Sequence, residues 1–181
     1  MITGLGYAFD ESVPTGRYAR WLIRRLYALA LRFNERVLVQ NPDDLGELIR
    51  TRCLASSSRT AVVNGSGVDL NYYAAVPLPA SGPSFLMIAR LLANKGVREY
   101  VEAARVVRQS RPEARCVLVG WFDSHPTSIK RSEMRAWQSE GVIEYAGPVE
   151  DVHPYLRQCS VYVLPSYREG TPRTVLEAMS T

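Results

Sequence analysis

The sequence predicts an α/β protein with a parallel sheet covered by helices on both faces. Three observations carry this. Short apolar runs recur at 84–91 (SFLMIARL), 115–119 (RCVLV), 142–145 and 161–164 (VYVL). They are apolar almost throughout instead of alternating, the pattern of strands buried on both sides. Segments with helical spacing lie between them, and strand–helix alternation is the signature of parallel crossovers.

Elements follow in order. Residues 1–14 read as an irregular, glycine-containing loop. A helix is expected over 15–33, with Trp21, Leu22, Leu26, Leu29 and Phe33 at helical spacing as its packing face and Arg17, Arg20, Arg24, Arg25 and Arg32 around the remainder. RVLVQ (36–40) is a short strand. Asn41 then caps a second helix, with Pro42 in its first turn. Residues 59–63 form another strand, ended by Asn64-Gly65. Pro77, Pro79, Gly82 and Pro83 mark 76–83 as a linker. It separates a first segment, 1–75, from a second, 84–181.

Beyond the linker the rhythm is regular. Strand 84–91 is followed by a helix over 96–109, with Tyr100, Ala103, Ala104 and Val107 on one face. Strand 115–119 ends at Gly120, and a helix over about 127–140 leads to strand 142–145. A short helix at 152–158, strand 161–164 and a last helix from Pro172 complete the chain. Ligands of such sheets sit beyond the carboxyl ends of the strands. The loops to inspect are therefore 90–96, 120–126, 146–151 and 165–172.

Bulk properties narrow the classes. Hydrophobic residues make up 46% and charged residues 22%, a globular composition that argues against disorder. The net charge of +4 suits an anionic ligand but is too mild to call for nucleic acid. Cys53, Cys116 and Cys159 form no CxxC pair, so neither a disulfide framework nor a zinc site is suggested, and a reducing, cytoplasmic compartment fits. No apolar run approaches the ~20 residues of a membrane span, and no secretory leader is visible.

Two segments carry chemistry. In PSYREGTPRTVLEAM (165–179), Glu169 and Glu177 flank a helix start that Thr171 can cap and Pro172 can open. The free amides of that first turn, around Gly170, Arg173 and Thr174, form an anion site, and Gly170 allows close backbone approach. Carboxylates beside an anion site suit sugar hydroxyls, so the pair suggests a sugar–diphosphate–ribose ligand. By its spacing alone, the pair reads as ordinary surface glutamates. In ARLLANKG (89–96), Arg90 ends a buried strand and Lys95 opens the following helix. Two cations across a tight loop can grip a diphosphate and stabilise it as a leaving group. Otherwise Arg90 pairs with an internal carboxylate and Lys95 is solvated. Both segments on one side of one sheet favour the diphosphate.

ARLLANKG, followed about seventy residues later by YREGTPRTVLEAM, resembles the donor-binding domain of family 4 (group 1) retaining glycosyltransferases. The resemblance implies a GT-B type, Rossmann-like fold. It implies that Glu169 contacts the donor sugar, Glu177 the ribose, and Arg90 with Lys95 the diphosphate, making Glu169, Arg90 and Lys95 the catalytic set. Gly170, Thr171, Pro172 and Arg173 would line the donor, Gly120 matches the family pattern, and Gly147, Pro148 and Val149 stand where the family's backbone receives the uracil. TGLGYAF (3–9), QNPDD (40–44) and NGSGVDL (64–70) are similar to the acceptor-domain end and hinge of a subgroup that extends sugars on undecaprenyl diphosphate in capsule, O-antigen and N-glycan synthesis.

On this reading the substrate is a UDP-hexose, and the acceptor a lipid-diphosphate-linked or polysaccharide glycan at the cytoplasmic face of the inner membrane. The leaving diphosphate takes the acceptor proton, so no general base is required. No DxD-type pair stands in the donor loops, and neither cofactor nor metal is expected. The family's first sheet would precede Met1, and a further strand and helix would follow Thr181. The chain alone is therefore expected to be inactive. The competing reading is a non-catalytic nucleotide-sugar-binding remnant, or a decayed gene product.

Gly4-x-Gly6 and Gly65-x-Gly67 lack the third glycine of a dinucleotide fingerprint, which ranks an oxidoreductase low. His125 and His153 have no partner at metal-ligand spacing, although His125 could border the donor cleft. The arginines of 17–33 are expected to be a solvated face, with attraction to anionic lipid as a secondary effect.

Overall fold

The computed structural model describes every residue except 3, 6–8, 10–15, 57–58 and 81. The helix start expected at Thr15, parts of the 1–14 loop and its TGLGYAF motif, and Ser81 of the linker lie outside the described residues. The chain forms two compact units. The first comprises 1–67 with 169–172, and the second 68–168 with 173–181.

In the first unit, α1 (Arg17–Arg32) precedes β1 (Val37–Val39), α2 (Pro42–Arg50) and β2 (Thr60–Val62). β1 and β2 pair in parallel, and Ile2 bridges to Val39 on the same strand. The expected cap of α2 is present: Asp44 N donates to Asn41 Oδ1 at 2.6 Å, and Pro42 occupies the first turn. The core gathers Leu31, Val37, Val39, Leu48 and Leu54, with Ile23 and Tyr27 packed against it.

The expected packing face of α1 is overturned. Trp21 is 58% exposed, and Leu22, Leu26, Leu29 and Phe33 are also exposed. The helix packs instead through Ile23, Tyr27 and Leu31. Both sets recur at three- and four-residue steps, so periodicity alone cannot choose between them.

In the second unit, β3 (Ser84–Ile88), β4 (Arg115–Val119), β5 (Glu144–Gly147) and β6 (Val161–Tyr162) form a parallel sheet in the order β5-β4-β3-β6. Successive side chains of β3 and β4 face opposite ways. Met87, Cys116 and Leu118 meet Val97, Tyr100, Val101 and Ala104 of α3 (Val97–Ser110) and Met134 and Trp137 of α4 (Arg131–Ser139). Leu86, Ile88, Val117 and Val119 meet Tyr73, Leu156 of α5 (His153–Leu156) and Ala178 of α6 (Arg173–Ser180). Helices therefore cover both faces, as predicted.

Several bounds move. Ala103 is exposed, and Val101 takes the inward position expected of it. α4 starts at Arg131 rather than near Thr127, because 121–130 makes its own turns. β5 begins at Glu144 and takes in Gly147; Val142 and Ile143 are buried just ahead of it. The β4–β5 register slips between Leu118 and Val119, so that Leu118 faces Tyr145 and Val119 faces Gly147. Gly147, expected in a loop, holds φ +79 at this bulge. The Tyr100 hydroxyl donates within a bridge to the carbonyls of Phe85 (3.1 Å) and Val117 (3.0 Å), linking β3 to β4 through α3.

Candidate donor site at the carboxyl edge of the second unit

Every strand of the second unit ends at one edge, and the loops leaving that edge interlock. Gly120 N donates to Gly147 O at 3.0 Å, joining the β4 and β5 loops. Gly120 also abuts the carbonyl of Ala89, so closely that a Cβ there would overlap it. Leu91 N donates to Trp121 O at 3.1 Å. On the other side, Tyr167 N donates to Asn94 O at 3.1 Å, and the Tyr167 hydroxyl donates to Glu99 at 2.6 Å. That bond holds the Glu99 carboxyl below the usual carboxylate range. Gly96 (φ +73) lets its Cα pass against the Pro165 carbonyl, where a Cβ would stand 2.7 Å from the Pro165 carbonyl carbon. The two motif-bearing loops after β3 and β6 are thus in direct contact.

Arg90 follows β3 at this edge, with its guanidinium 3.4 Å from Asp123 of the β4 loop. The expected alternative, pairing with a carboxylate, is realised in this state. Arg90 is nevertheless about half exposed, and so long an exposed pair is worth little. Lys95 is half-buried and closes the short 3-10 turn Ala93–Lys95, with Gly96 as its left-handed cap.

α6 is anchored at its first turn. The Tyr162 hydroxyl lies 2.7 Å from Thr174 Oγ1 and 3.2 Å from the carbonyl of Ile88, tying α6 to the end of β3. The first amides of a helix have no intrahelical partner and carry the positive end of its dipole. Glu177, one turn on, is 5% exposed. Its Oε1 lies 2.9 Å from Nε of Arg173, whose side chain is 68% exposed. Arg173, expected to line the donor, is turned onto Glu177 here.

Glu169, Gly170, Thr171 and Pro172 belong to the first unit by their contacts. Asn41 Nδ2 donates to Glu169 O at 3.0 Å. The Thr171 hydroxyl is directed to the Gln40 carbonyl at 3.5 Å and not to a helix amide, which corrects its expected capping role. Gly65 (φ +74) packs on Thr171, where a Cβ would lie 2.7 Å from Cγ2. The structure thus gathers Arg90, Lys95, Gly120, Gly147 and Glu177 in one unit and holds 169–172 in the other. Pro148 is exposed after the bulge, and Val149 packs under the sheet.

His125 builds the β4 loop: its amide donates to Asp123 (2.9 Å), and its Nδ1 accepts from Thr127 N (3.1 Å). The His153 ring lies tilted against Tyr72 and edge-on to Tyr73. Among the described residues no three His, Cys, Asp or Glu side chains are grouped to hold a metal ion. The three cysteines are free, and burial pushes the Cys116 and Cys159 thiols up. A cavity of about 270 Å³ lies beside Ser84, Arg115 and Glu144, which begin their strands. It is therefore at the opposite end from the motif loops. Sequence reasoning missed Tyr162, whose hydroxyl ties α6 to the end of β3; a single tyrosine in an apolar run carries no local signal to mark it.

A parallel sheet with helices on both faces is the doubly wound α/β architecture, in which ligands sit at the carboxyl edge of the strands. Solved structures agree on a GT-B fold. The chain superposes on Anabaena Alr3699/HepE, crystallised with UDP and glucose, with a TM-score of 0.69 at 18% identity, covering 97% of this chain and 49% of that one. It superposes on the pneumococcal O-GlcNAc transferase GtfA, crystallised with UDP and GlcNAc, with a TM-score of 0.62 at 18% identity, covering 86% and 30%. Residues 82–181 match the family described as glycosyl transferases group 1, and the chain belongs to that family. A curated relative is the N,N'-diacetylbacillosaminyl-diphospho-undecaprenol alpha-1,3-N-acetylgalactosaminyltransferase of Campylobacter jejuni. It is 28% identical over 98% of this chain, which spans 48% of its length.

Proposed function

We propose that the chain supplies the donor half of a retaining glycosyltransferase that moves a hexose from a UDP-sugar to an undecaprenyl-diphosphate-linked glycan during surface glycan synthesis. The observation that carries this reading is the buried Glu177 on a helix whose first turn is tied to the end of β3, in a sheet where the Arg90–Lys95 loop follows that same strand. Glu177 accepts the ribose hydroxyls, Glu169 the sugar hydroxyls, and Arg90 with Lys95 takes the diphosphate. In the reaction the bond from the anomeric carbon to UDP breaks, and the diphosphate leaves with the electron pair. The acceptor oxygen bonds that carbon on the same face, and its proton passes to the departing diphosphate. Arg90, Lys95 and the α6 dipole stabilise the charge that develops, with no metal ion. The relative's printed activity on an undecaprenol-linked sugar supports the acceptor class.

The test is a two-dimensional amide NMR titration of the chain with UDP in the presence of EDTA. Shifts concentrated at 90–96, 120, 147 and 173–177 are expected. Dispersed signals that ignore UDP would remove the site assignment, and shifts that require added magnesium would remove the metal-free reading.

We further assign the outer face of α1 to the anionic cytoplasmic leaflet. Trp21, Leu22, Leu26, Leu29 and Phe33 are exposed there, flanked by the exposed Arg17, Arg25 and Arg32. Apolar anchors flanked by arginines match an interfacial helix, and no helix among the described residues is long and apolar enough to cross a membrane. Co-flotation with vesicles rich in phosphatidylglycerol, absent with phosphatidylcholine and lost in Trp21→Ser/Leu26→Ser, is the expected result. No flotation with either lipid would assign the stripe to protein packing.

A further inference from the structure

α6 carries a cation at the end of a helix that least favours one. Arg173 is its first residue, where the helix dipole is positive, and no acidic side chain stands in that first turn. The side chain reaches one turn along the helix, and its Nε lies 2.9 Å from Oε1 of Glu177. An arginine four residues before a glutamate is the weaker order for such a pair. Helix electrostatics therefore does not account for Arg173, whereas the carboxylate does. Glu177 is 5% exposed, and a buried charge needs a counter-charge.

The two partners are held differently. The backbone that carries Glu177 is fixed on both sides of it. Ahead of it, Thr174 Oγ1 lies 2.7 Å from the Tyr162 hydroxyl, which also reaches the Ile88 carbonyl. After it, Ala178 packs against the sheet, and Val76 N donates to Thr181 O at 2.8 Å. The Arg173 side chain is largely solvated, so it can rotate away without moving the backbone. The Glu177 side chain is 6% exposed. Two ribose hydroxyls cannot reach a carboxylate so covered until a neighbour moves off it, and Arg173 is a neighbour able to move.

We propose that Arg173 is an exchangeable counter-ion for Glu177: it covers the carboxylate while the donor site is empty, swings out when a nucleotide's ribose takes that carboxylate, and closes its guanidinium on the diphosphate of the same nucleotide. The inference rests on the reading of Glu177 given above. The exchange leaves both ions with partners. The carboxylate trades one charged donor for two hydroxyls. The guanidinium trades a carboxylate for phosphate oxygens, which fit its planar fork equally well. Rooted at the first residue of α6, it stands beside the free amides to which the helix draws the same anion. A nucleoside without phosphates displaces the arginine and offers it nothing in return.

The test compares the affinities of the whole chain for UDP and for uridine, in wild type and in Arg173→Ala, by NMR titration. Arg173→Ala is expected to weaken UDP about tenfold, the loss of one charged contact. It is expected to tighten uridine about threefold, because no ion pair has then to be opened. Loss of a merely structural contact would weaken both ligands, and that result overturns the proposal. So does an unchanged affinity for either ligand. Glu177→Ala separates this proposal from the reading beneath it. A UDP affinity that falls in Glu177→Ala and stays at the wild-type value in Arg173→Ala overturns the exchange alone. One that stays unchanged in both overturns the ribose role of Glu177 as well. A second measurement needs no variant. In ¹⁵N-labelled wild-type protein the Arg173 Nε–H resonance is expected to move on adding UDP. A resonance indifferent to UDP overturns the proposal even if Arg173→Ala fails to fold.

Discussion

Gly96→Ala is expected to destabilise the second unit by about 3–5 kcal/mol, in the range reserved for a few severe mechanisms. Two costs add. The residue holds φ +73, where an L side chain is strained by roughly 1 kcal/mol. The larger cost is steric: the new Cβ would overlap the Pro165 carbonyl, and backbone cannot swing aside as a flexible side chain does. Relief would require parting the loops after β3 and β6, which also breaks the Tyr167–Asn94 bond. At roughly 4–8 °C per kcal/mol for a domain of this size, thermal melting followed by circular dichroism should show a drop of about 12–40 °C. Gly141→Ala is the internal control. Gly141 has nearly the same φ, +68, but nothing within 4 Å of its Cβ position. It should cost only about 1 kcal/mol. Equal melting points for the two variants would show that the Gly96–Pro165 contact does not hold the site together.

Glu177→Ala is expected to weaken UDP binding at least a hundredfold, and Glu177→Gln at least tenfold. Hydrogen bonds to a charged acceptor contribute about 1.5–3 kcal/mol each, and a ribose offers two donors. Glutamine keeps one acceptor oxygen, while alanine keeps none. Calorimetric titration separates ribose from phosphate: affinity for inorganic pyrophosphate, which has no ribose, should not fall in either variant. Unchanged UDP affinity in Glu177→Ala would end the assignment of Glu177 to the nucleoside.

The elements that were legible have causes contained within a few residues. RCVLV became β4 over its whole length because a run apolar on both faces has few other solutions. Asn41 capped α2 because cap and amide lie three residues apart. The weaker bounds are those where a loop competes for the backbone, as at 121–130 before α4, or where a bulge shifts register, as at Gly147. In the candidate site, Glu177 and Arg90 stood out through motif and resemblance. Tyr162 did not, since a tyrosine in an apolar strand announces nothing about the helix whose first turn it holds.

The amino-acid order by itself determined the parallel α/β class, the alternation of strands and helices beyond residue 83, and the membership that the motifs of 89–96 and 165–179 announce. Tertiary structure alone decided three things. It chose which apolar stripe of α1 turns inward, because Ile23, Tyr27 and Leu31 repeat as helically as Trp21, Leu22, Leu26 and Leu29. It grouped 169–172 with the first unit through bonds to Gln40 and Asn41. And it set Gly96 against Pro165 and the Tyr162 hydroxyl against Thr174. The physical reason is range: propensity and periodicity act over a turn or two of chain, whereas these contacts join residues far apart in sequence, and Gly96 meets Pro165 only once β6 pairs beside β3.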